Sequence, residues 1–380
     1  MKLLMNNDMI IFRDKDKIIL DLYKEHNQVA INPEFLPVLL LFRSPKDEND
    51  IEDDRDNFTT YSESEFDAIV DEFINKHVLI DSEGINEKKL EIDSLNQSTR
   101  YYYWANRIFN YEKYETTYHE FMKLGSQRNI QPSVYKEYES KLKSIPLPYP
   151  SEIKRDLLST ILYRQSVRYG ITKENVSFDA ISDLLYYSTG ETSYAFDNGM
   201  GDALFKPTAT PGGRAGNELY LINLSNTNLE NGIYHYSVKK HTLDLIKKGD
   251  FNDIMFKISG NQSQVKSTKM MLVLTEKMDR IIWKYHEGIA YRSAMIESGA
   301  VMQNIYLIAS ARKLGVGAIG TFRDDELDKL LNINPNNECV TLMFTMGVMD
   351  KNKDRFDQPS IDKYMEEDAD ERKQQSFPNN

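Results

Sequence analysis

The sequence predicts an α+β fold in two domains, and three observations carry that prediction. Between residues 217 and 347, short runs rich in β-branched, aromatic and aliphatic residues (NELYLINL, GIYHYS, MMLVLTE, VGAIG, CVTLMFTMG) alternate with helical patterns. One of these, HEGIAYRSAMIESGAVMQNIYLIASARKLG (286–315), is apolar almost all round from 299 to 311 and stops at Gly315. Such a helix needs burial by a sheet or a second subunit. Finally, three prolines in IPLPYP (145–150) separate this region from a differently patterned N-terminal part.

Taken in order, MIIFRDKDKIILDLY from Met9 reads as a β-hairpin turning near Asp14–Asp16. INPEFLPVLLLF (31–42) follows as an apolar element broken by Pro33 and Pro37. KDENDIEDDRDN (46–57) is so charged that a solvated loop is expected, and it lacks the turn glycine of a calcium loop. Ser62 and Glu65 form a capping box ahead of Phe66, Ile69, Val70 and Phe73 at helical spacing. HVLI (77–80) reads as a strand. Together, residues 1–95 resemble a winged-helix-like module. A DNA reader would carry a basic helix here, but this one holds Glu63, Glu65, Asp67, Asp71 and Glu72. Docking of a peptide, added as a strand to the hairpin, is expected instead. Residues 96–150, with the aromatic-rich YYYWANRIFNYEKYETTYHEFM (101–122), read as a helical linker. Residues 151–350 form the second domain, with a helix over Ser177–Leu185, and 351–380 a charged, loosely held tail.

Composition excludes several classes. The 380 residues suffice for a sizeable core, and a net charge of −12 argues against bulk binding of nucleic acid or anionic membrane. A local basic pocket for one small phosphate ligand stays open. The single cysteine, Cys339, rules out an internal disulfide and a cysteine-rich metal site. The six histidines lack metal-ligand spacing, so no metal is assigned and His235 is expected to be structural. MKLLMNNDMIIF has too interrupted an apolar run for a signal peptide, and no stretch reaches the ~18 apolar residues of a membrane span. A soluble cytoplasmic protein is expected. The 23 tyrosines, 17 phenylalanines and 15 methionines suit interfaces and planar-ligand pockets, and equally a plain core.

Two motifs carry chemistry. In RQSVR (164–168), an extended chain would turn Arg164, Ser166 and Arg168 to one side. That row could hold a phosphate by charge-assisted hydrogen bonds, or be an exposed arginine pair at a helix start. ATPGGRAGNELYL (209–221) is a glycine-rich turn leading into a strand. Its backbone N–H groups can approach a ligand closely, unless it is merely a tight turn.

With GIYHY (232–236), WKY (283–285), ESGAVMQN (297–304) and LGVGAIGTF (314–322), these motifs resemble the FMN-dependent nitroreductase superfamily. Within it they are similar to the SagB-type (McbC-like) branch of azoline dehydrogenases, which mature thiazole- and oxazole-containing ribosomal peptides. The resemblance covers about half the chain, residues 155–350. It implies a nitroreductase-like FMN-binding fold, with Arg164, Ser166 and Arg168 on the FMN phosphate. Thr210, Pro211, Gly212, Gly213 and Arg214 would lie at the ring edge, Glu297 and Asn304 would contribute from the helix, and Gly320 and Thr321 would face the ring from the other side. Lys284 and Tyr285 stand at the branch's catalytic Lys–Tyr pair, a base and a relay for charge. The plainer alternative is that Lys284 snorkels and Tyr285 packs. Ala209 and Thr210 replace the branch's proline and serine, and Gly216 a later proline, so the pocket can hold a different substrate.

The implied reaction is oxidation of thiazoline or oxazoline to thiazole or oxazole. Flavin-dependent reduction of dehydroalanine or dehydrobutyrine in a lanthipeptide precursor stays open, as does a non-catalytic docking scaffold. The implied partners are a precursor peptide with its leader, a cyclodehydratase or dehydratase, and a second copy in a homodimer. No nucleic acid and no membrane are expected.

Overall fold

Left-handed residues close the turns of the N-terminal strands in the computed structural model, which describes residues 2–82, 96–107, 130–196, 201–285 and 289–353. After β1 (Leu3–Met5), Lys15 at φ 55° joins β2 (Ile10–Asp14) to β3 (Lys17–Leu22). His26 at φ 52° joins β3 to β4 (Asn27–Ile31), so the expected hairpin is a three-stranded antiparallel meander. Three helices follow: α1 (Leu36–Leu41), α2 (Glu48–Phe58) and α3 (Glu63–Asn75). β5 (Leu79–Asp81) then returns to pair with β1. The core of this unit joins Leu20, Leu22, Val38, Leu39 and Phe42 to Phe66, Val70 and Phe73 of α3.

The acidic run at 46–57 is helical, against the expectation of a loop. Asp47 accepts from the Asp50 amide at 3.1 Å while the Asp50 carboxylate accepts from the Asp47 amide at 3.2 Å, closing a capping box. Glu48 and Asp50 sit in the first turn, where the helix dipole favours negative charge. Local capping thus outweighs the lack of an apolar stripe.

The chain divides into two compact units, Met1–Thr117 and Tyr118–Asn380. In the first, α4 (Gln97–Ala105) is capped by Asn96, while the rest of the expected helix over 101–122 lies largely outside the described residues. In the second, β6 (Lys143–Pro146) pairs with a later strand, so the proline-rich stretch expected as a boundary belongs partly to a sheet. Proline is tolerated there because an edge strand leaves one row of N–H groups unused. The charged tail from 354 lies outside the described residues.

The second unit continues with α5 (Leu157–Tyr163), α6 (Phe178–Thr189), the hairpin β7 (Ser193–Ala195) and β8 (Ala203–Phe205), then β9 (Asn217–Asn223), β10 (Gly232–Ser237) and β11 (Thr242–Lys248). After these come α7 (Asn252–Ile258), β12 (Met270–Lys277), α8 (Met278–Lys284), α9 (Ile289–Ala311), β13 (Leu314–Ile319), α10 (Asp324–Leu331) and β14 (Glu338–Val348). Seven strands form one antiparallel sheet in the order β13-β14-β12-β9-β10-β11-β6. Their side chains alternate between two cores. Leu219, Leu221, Leu272 and Leu274 pack with α6 and α9, and Tyr220, Ile222, Met271 and Val273 with α7 and α10. The result is an α+β fold with helices on both faces of the sheet.

The long helix stops at Ala311 and not at Gly315. Lys313 takes the left-handed position at φ 58°, and Gly315 already lies in β13. A Cβ on Gly315 would come within 2.9 Å of Val167 Cγ1, so glycine is needed there for packing. Among the described residues no helix is long and apolar enough to cross a membrane.

Candidate functional site

The glycine-rich turn is built from left-handed residues: Gly212 at φ 61°, Gly213 at φ 67° and Ala215 at φ 50°. Such angles suit glycine and strain alanine. Side chains and amides hold the strain in place. The Arg280 guanidinium donates to the Ala215 carbonyl at 2.8 Å, and the Lys277 amide donates to the Gly216 carbonyl at 2.7 Å. Arg280 is itself paired with Glu218 at 2.7 Å, deep in the core. Burial would raise the Glu218 carboxyl, but Arg280, with help from His235 at 2.8 Å, holds it well below the usual carboxylate range. His235 is thus a fully buried core residue tied to Glu218.

Lys284 and Tyr285 reach this turn from the end of α8. A Cβ placed on Gly212 would lie 2.7 Å from both Lys284 Nζ and Tyr285 Oη, so the two polar tips converge on one point. Only glycine leaves them room. Lys284 Nζ also donates to the Gly212 carbonyl at 3.3 Å, and Arg214 Nε donates to the same oxygen at 2.9 Å. Arg214 is buried, with its guanidinium 5.2 Å from the Trp283 ring centroid. The Tyr285 ring packs against Ile281, Ala290 and Ala294.

A second cluster forms around Tyr306 of α9. Arg164 leaves α5 in an extended conformation (φ −51°, ψ 133°) with its guanidinium 5.2 Å from the Tyr306 ring centroid. Ser166 Oγ donates to Tyr306 Oη at 3.2 Å, and the Ala318 amide donates to the same oxygen at 2.9 Å. The Val167 amide bonds the Val316 carbonyl at 2.8 Å, which keeps the segment stretched along β13. Val167 is buried while Ser166 and Arg168 are exposed, the alternation of an extended row. Among the described residues neither Arg164 nor Arg168 has an acidic partner, in a chain of net charge −12. Gly320 and Thr321 are exposed just past the end of β13.

Thr210 and Pro211 open the glycine-rich turn, and the two site residues expected from the long helix are placed differently. Asn304 donates to the Tyr187 carbonyl of α6 at 3.3 Å. Glu297 is fully buried and hydrogen-bonded to the Asn217 side chain, so any effect on a bound ligand must pass through Asn217. From Glu297 to Tyr306 is about 14 Å along α9, at ~1.5 Å per residue. The sequence reading missed Tyr306, Arg280, Lys206 and Asn217. Only their long-range partners give them meaning, and no local spacing marks those.

Residues 161–348 match the sequence model of the Nitroreductase family. A protein of Methanocaldococcus jannaschii named as a nitroreductase is 25% identical over 203 residues, covering 53% of this chain and 95% of that one. The trifolitoxin-processing protein of Rhizobium leguminosarum bv. trifolii is 26% identical over 191 residues, which are 48% of this chain and 51% of the relative. The matched region therefore spans about half of that relative's length. Among solved structures, a nitroreductase of Anabaena variabilis superposes with a TM-score of 0.48 at 21% identity, covering 63% of this chain and 47% of that one.

Proposed function

From the premise that residues 161–348 form a domain of the nitroreductase family, and so an FMN-dependent oxidoreductase, we propose that this protein oxidises azolines in a ribosomal precursor peptide. The observation that carries the reading is the convergence of Lys284 and Tyr285 on Gly212. It puts a basic nitrogen and a phenol at one point beside the backbone of the glycine-rich turn. The relative named for trifolitoxin processing supports a peptide substrate.

The residues present fit FMN. Arg164 and Arg168, which have no acidic partner among the described residues, and the Ser166 hydroxyl would hold its phosphate. The backbone of Thr210, Pro211, Gly212 and Gly213 would border the ring from one side, and Gly320 and Thr321 from the other. Arg214, Glu297 and Asn304 would act behind them, through Gly212, Asn217 and the Tyr187 carbonyl respectively. When bound, FMN supplies the hydride acceptor that this oxidation needs, with dioxygen as the final oxidant.

The chain's own part is the proton. Lys284 Nζ would take it from the azoline Cα, which requires an uncharged amine. Arg214 Nε and Lys284 Nζ both donate to the Gly212 carbonyl, which fixes where the lysine side chain ends. Tyr285 Oη would steady the charge that develops. Under anaerobic conditions, an azoline peptide should bleach the yellow of the flavin-loaded protein. If only an added reductant bleaches it, and a dehydroalanine peptide restores the colour, the reductase reading replaces this one, with Tyr285 as proton donor.

The first unit supplies the peptide dock in this proposal. β2 and β4 are the edges of its meander, and β2 carries the exposed Ile11 and Phe12. A leader could add there as a strand, with main-chain hydrogen bonds giving affinity. Removing residues 1–95 should weaken binding of a leader-bearing substrate while flavin content holds. Equal turnover of leader-bearing and leaderless substrates by both proteins would refute the dock. A second copy of the chain would cover the face of α5 where Leu157, Leu158, Ile161 and Leu162 are exposed among the described residues. Light scattering of the flavin-loaded protein should then give a dimer mass, and a monomer at micromolar concentration would contradict it. A cytoplasmic setting with a cyclodehydratase upstream completes the proposal.

A further inference from the structure

Behind the glycine-rich turn lies a cluster of charge that the proposed reaction does not use. Asn217 and Glu276 face each other across β9 and β12. Glu297, on α9, accepts from the Asn217 side chain and, at 3.4 Å, from its amide. The next residue of that helix, Ser298, donates to Glu276 Oε1 at 2.8 Å and bonds the Thr341 hydroxyl at 2.9 Å. Both carboxylates are fully buried. The second oxygen of each, Glu276 Oε2 and Glu297 Oε2, has no hydrogen-bond partner among the described residues. A buried acceptor left without a donor costs about 1–3 kcal/mol, more when charged.

Counting the charges around the pair shows what is missing. Glu218 is already matched by Arg280. Arg280 and buried Lys206 both face the two remaining carboxylates, and with Arg280 matched by Glu218 that leaves Lys206, which bonds the Asn217 carbonyl at 2.7 Å and its side-chain oxygen at 2.9 Å, as the one cation for the pair. From β14, the Cys339 thiol faces Glu276. Burial pushes that thiol up to about 11, so it contributes no charge of its own. Glu338, also on β14, is paired with Lys136 at 2.5 Å. Two ionised carboxylates against one cation would leave a net negative charge in a dry core. One proton removes it and supplies a donor to an oxygen that has none.

We propose that Glu276 and Glu297 hold a single proton between them, carried on Glu276, and that this shared proton positions the glycine-rich turn. Burial raises the Glu297 carboxyl too, but it accepts two N–H bonds from Asn217, whereas Glu276 accepts only one hydroxyl, so the proton sits on Glu276. Burial, followed by the neighbouring Glu297, pushes the Glu276 carboxyl well above its usual range. The link to the turn is direct. A Cβ on Gly216 would lie 2.6 Å from Glu276 Oε2, so this oxygen rests against the residue that ends the turn. Loss of the proton would set two like charges behind Gly216 and Asn217. The turn that carries Gly212, and with it the seat of Lys284 and Tyr285, would shift. The inference goes beyond the proposed reaction and does not need Lys284 to be a base.

The sign of the pH dependence follows from the raised carboxyl. The native state keeps a proton that the unfolded chain loses above the ordinary glutamate value, so stability falls as pH rises until the native carboxyl ionises. One extra proton in the native state is worth about tenfold in the folding equilibrium per pH unit. The test is the urea midpoint of the full chain from about pH 6 to about pH 9, with flavin absorbance followed over the same range. Wild type should lose midpoint and flavin as pH rises. Glu276→Gln, which mimics the protonated acid, should hold both. Parallel curves for the two proteins would overturn the proposal. Should Glu276→Gln fail to fold, infrared spectroscopy of the wild type decides. A carboxylic-acid carbonyl band that shifts in D2O and persists at about pH 8 supports the shared proton, and its absence overturns it.

Discussion

Replacing Lys284 by alanine is expected to leave a folded, yellow protein whose turnover of an azoline peptide has dropped 10²–10⁴-fold, the range for loss of a general base. The position of the side-chain end decides the size of the effect. Lys284 Nζ lies on the Gly212 carbonyl, within reach of the point at which Tyr285 Oη also arrives. A snorkelling lysine would put its charge in open water, and its loss would cost little. Flavin content should be unchanged, because the cluster around Tyr306 proposed to hold the phosphate belongs to other elements. Tyr285→Phe keeps the ring packed on Ile281 and Ala290 but removes the hydroxyl, so it should also stay folded and lose activity. A mild Lys284→Ala beside a severe Tyr285→Phe would instead mark a proton donor and favour alkene reduction. Near-wild-type rates for both variants on a confirmed substrate would discard the pair as catalytic.

Arg168→Ala should come off a desalting column with much less flavin than wild type. A charge-assisted hydrogen bond contributes roughly 1.5–3 kcal/mol, or about ten- to a hundredfold in affinity. Arg168 is the clean member of the row for this test. Its guanidinium has no acidic partner among the described residues, and its backbone lies against Gly317, where an added Cβ would sit 3.6 Å from the Arg168 Cα. Removing the side chain therefore leaves the Val167–Val316 pairing intact. Arg164→Ala would also strip a cation from the face of Tyr306, which mixes ligand binding with packing. Wild-type flavin occupancy in Arg168→Ala after dialysis would remove the phosphate clamp from the account.

How much of this was legible in the sequence depends on the range of the interaction. Ser62 and Glu65 read as a capping box because the signal is confined to four residues, and the structure has it. β9, β10 and β12 read as strands because their runs are rich in aliphatic and aromatic residues of high strand propensity, and the structure buries nearly every residue of them. The helix at 48–58 was missed because its capping box uses Asp47 and Asp50, inside a run whose charge suggested solvation. The edge strand at 143–146 was missed because prolines speak against a strand and only its pairing with β11 defines it. For the candidate site, local motifs marked the row at 164–168 and the glycine turn, and the family resemblance marked the Lys–Tyr pair. They could not show that Lys284 and Tyr285 meet at Gly212, since 72 residues separate Lys284 from that carbonyl. Nor could they show that Glu297 is sealed behind Asn217, which only the packing of α9 on the sheet reveals.

The central claim, oxidation of an azoline in a peptide, is tested most directly by the mass of the product. A leader-bearing precursor peptide with a preformed thiazoline or oxazoline is incubated in air with the flavin-loaded protein, and its mass is measured. The account predicts a product lighter by two hydrogens for each azoline converted, with wild type and not with Lys284→Ala. An unchanged azoline peptide, together with a dehydroalanine-bearing peptide made heavier by two hydrogens once a reductant is supplied, would contradict it.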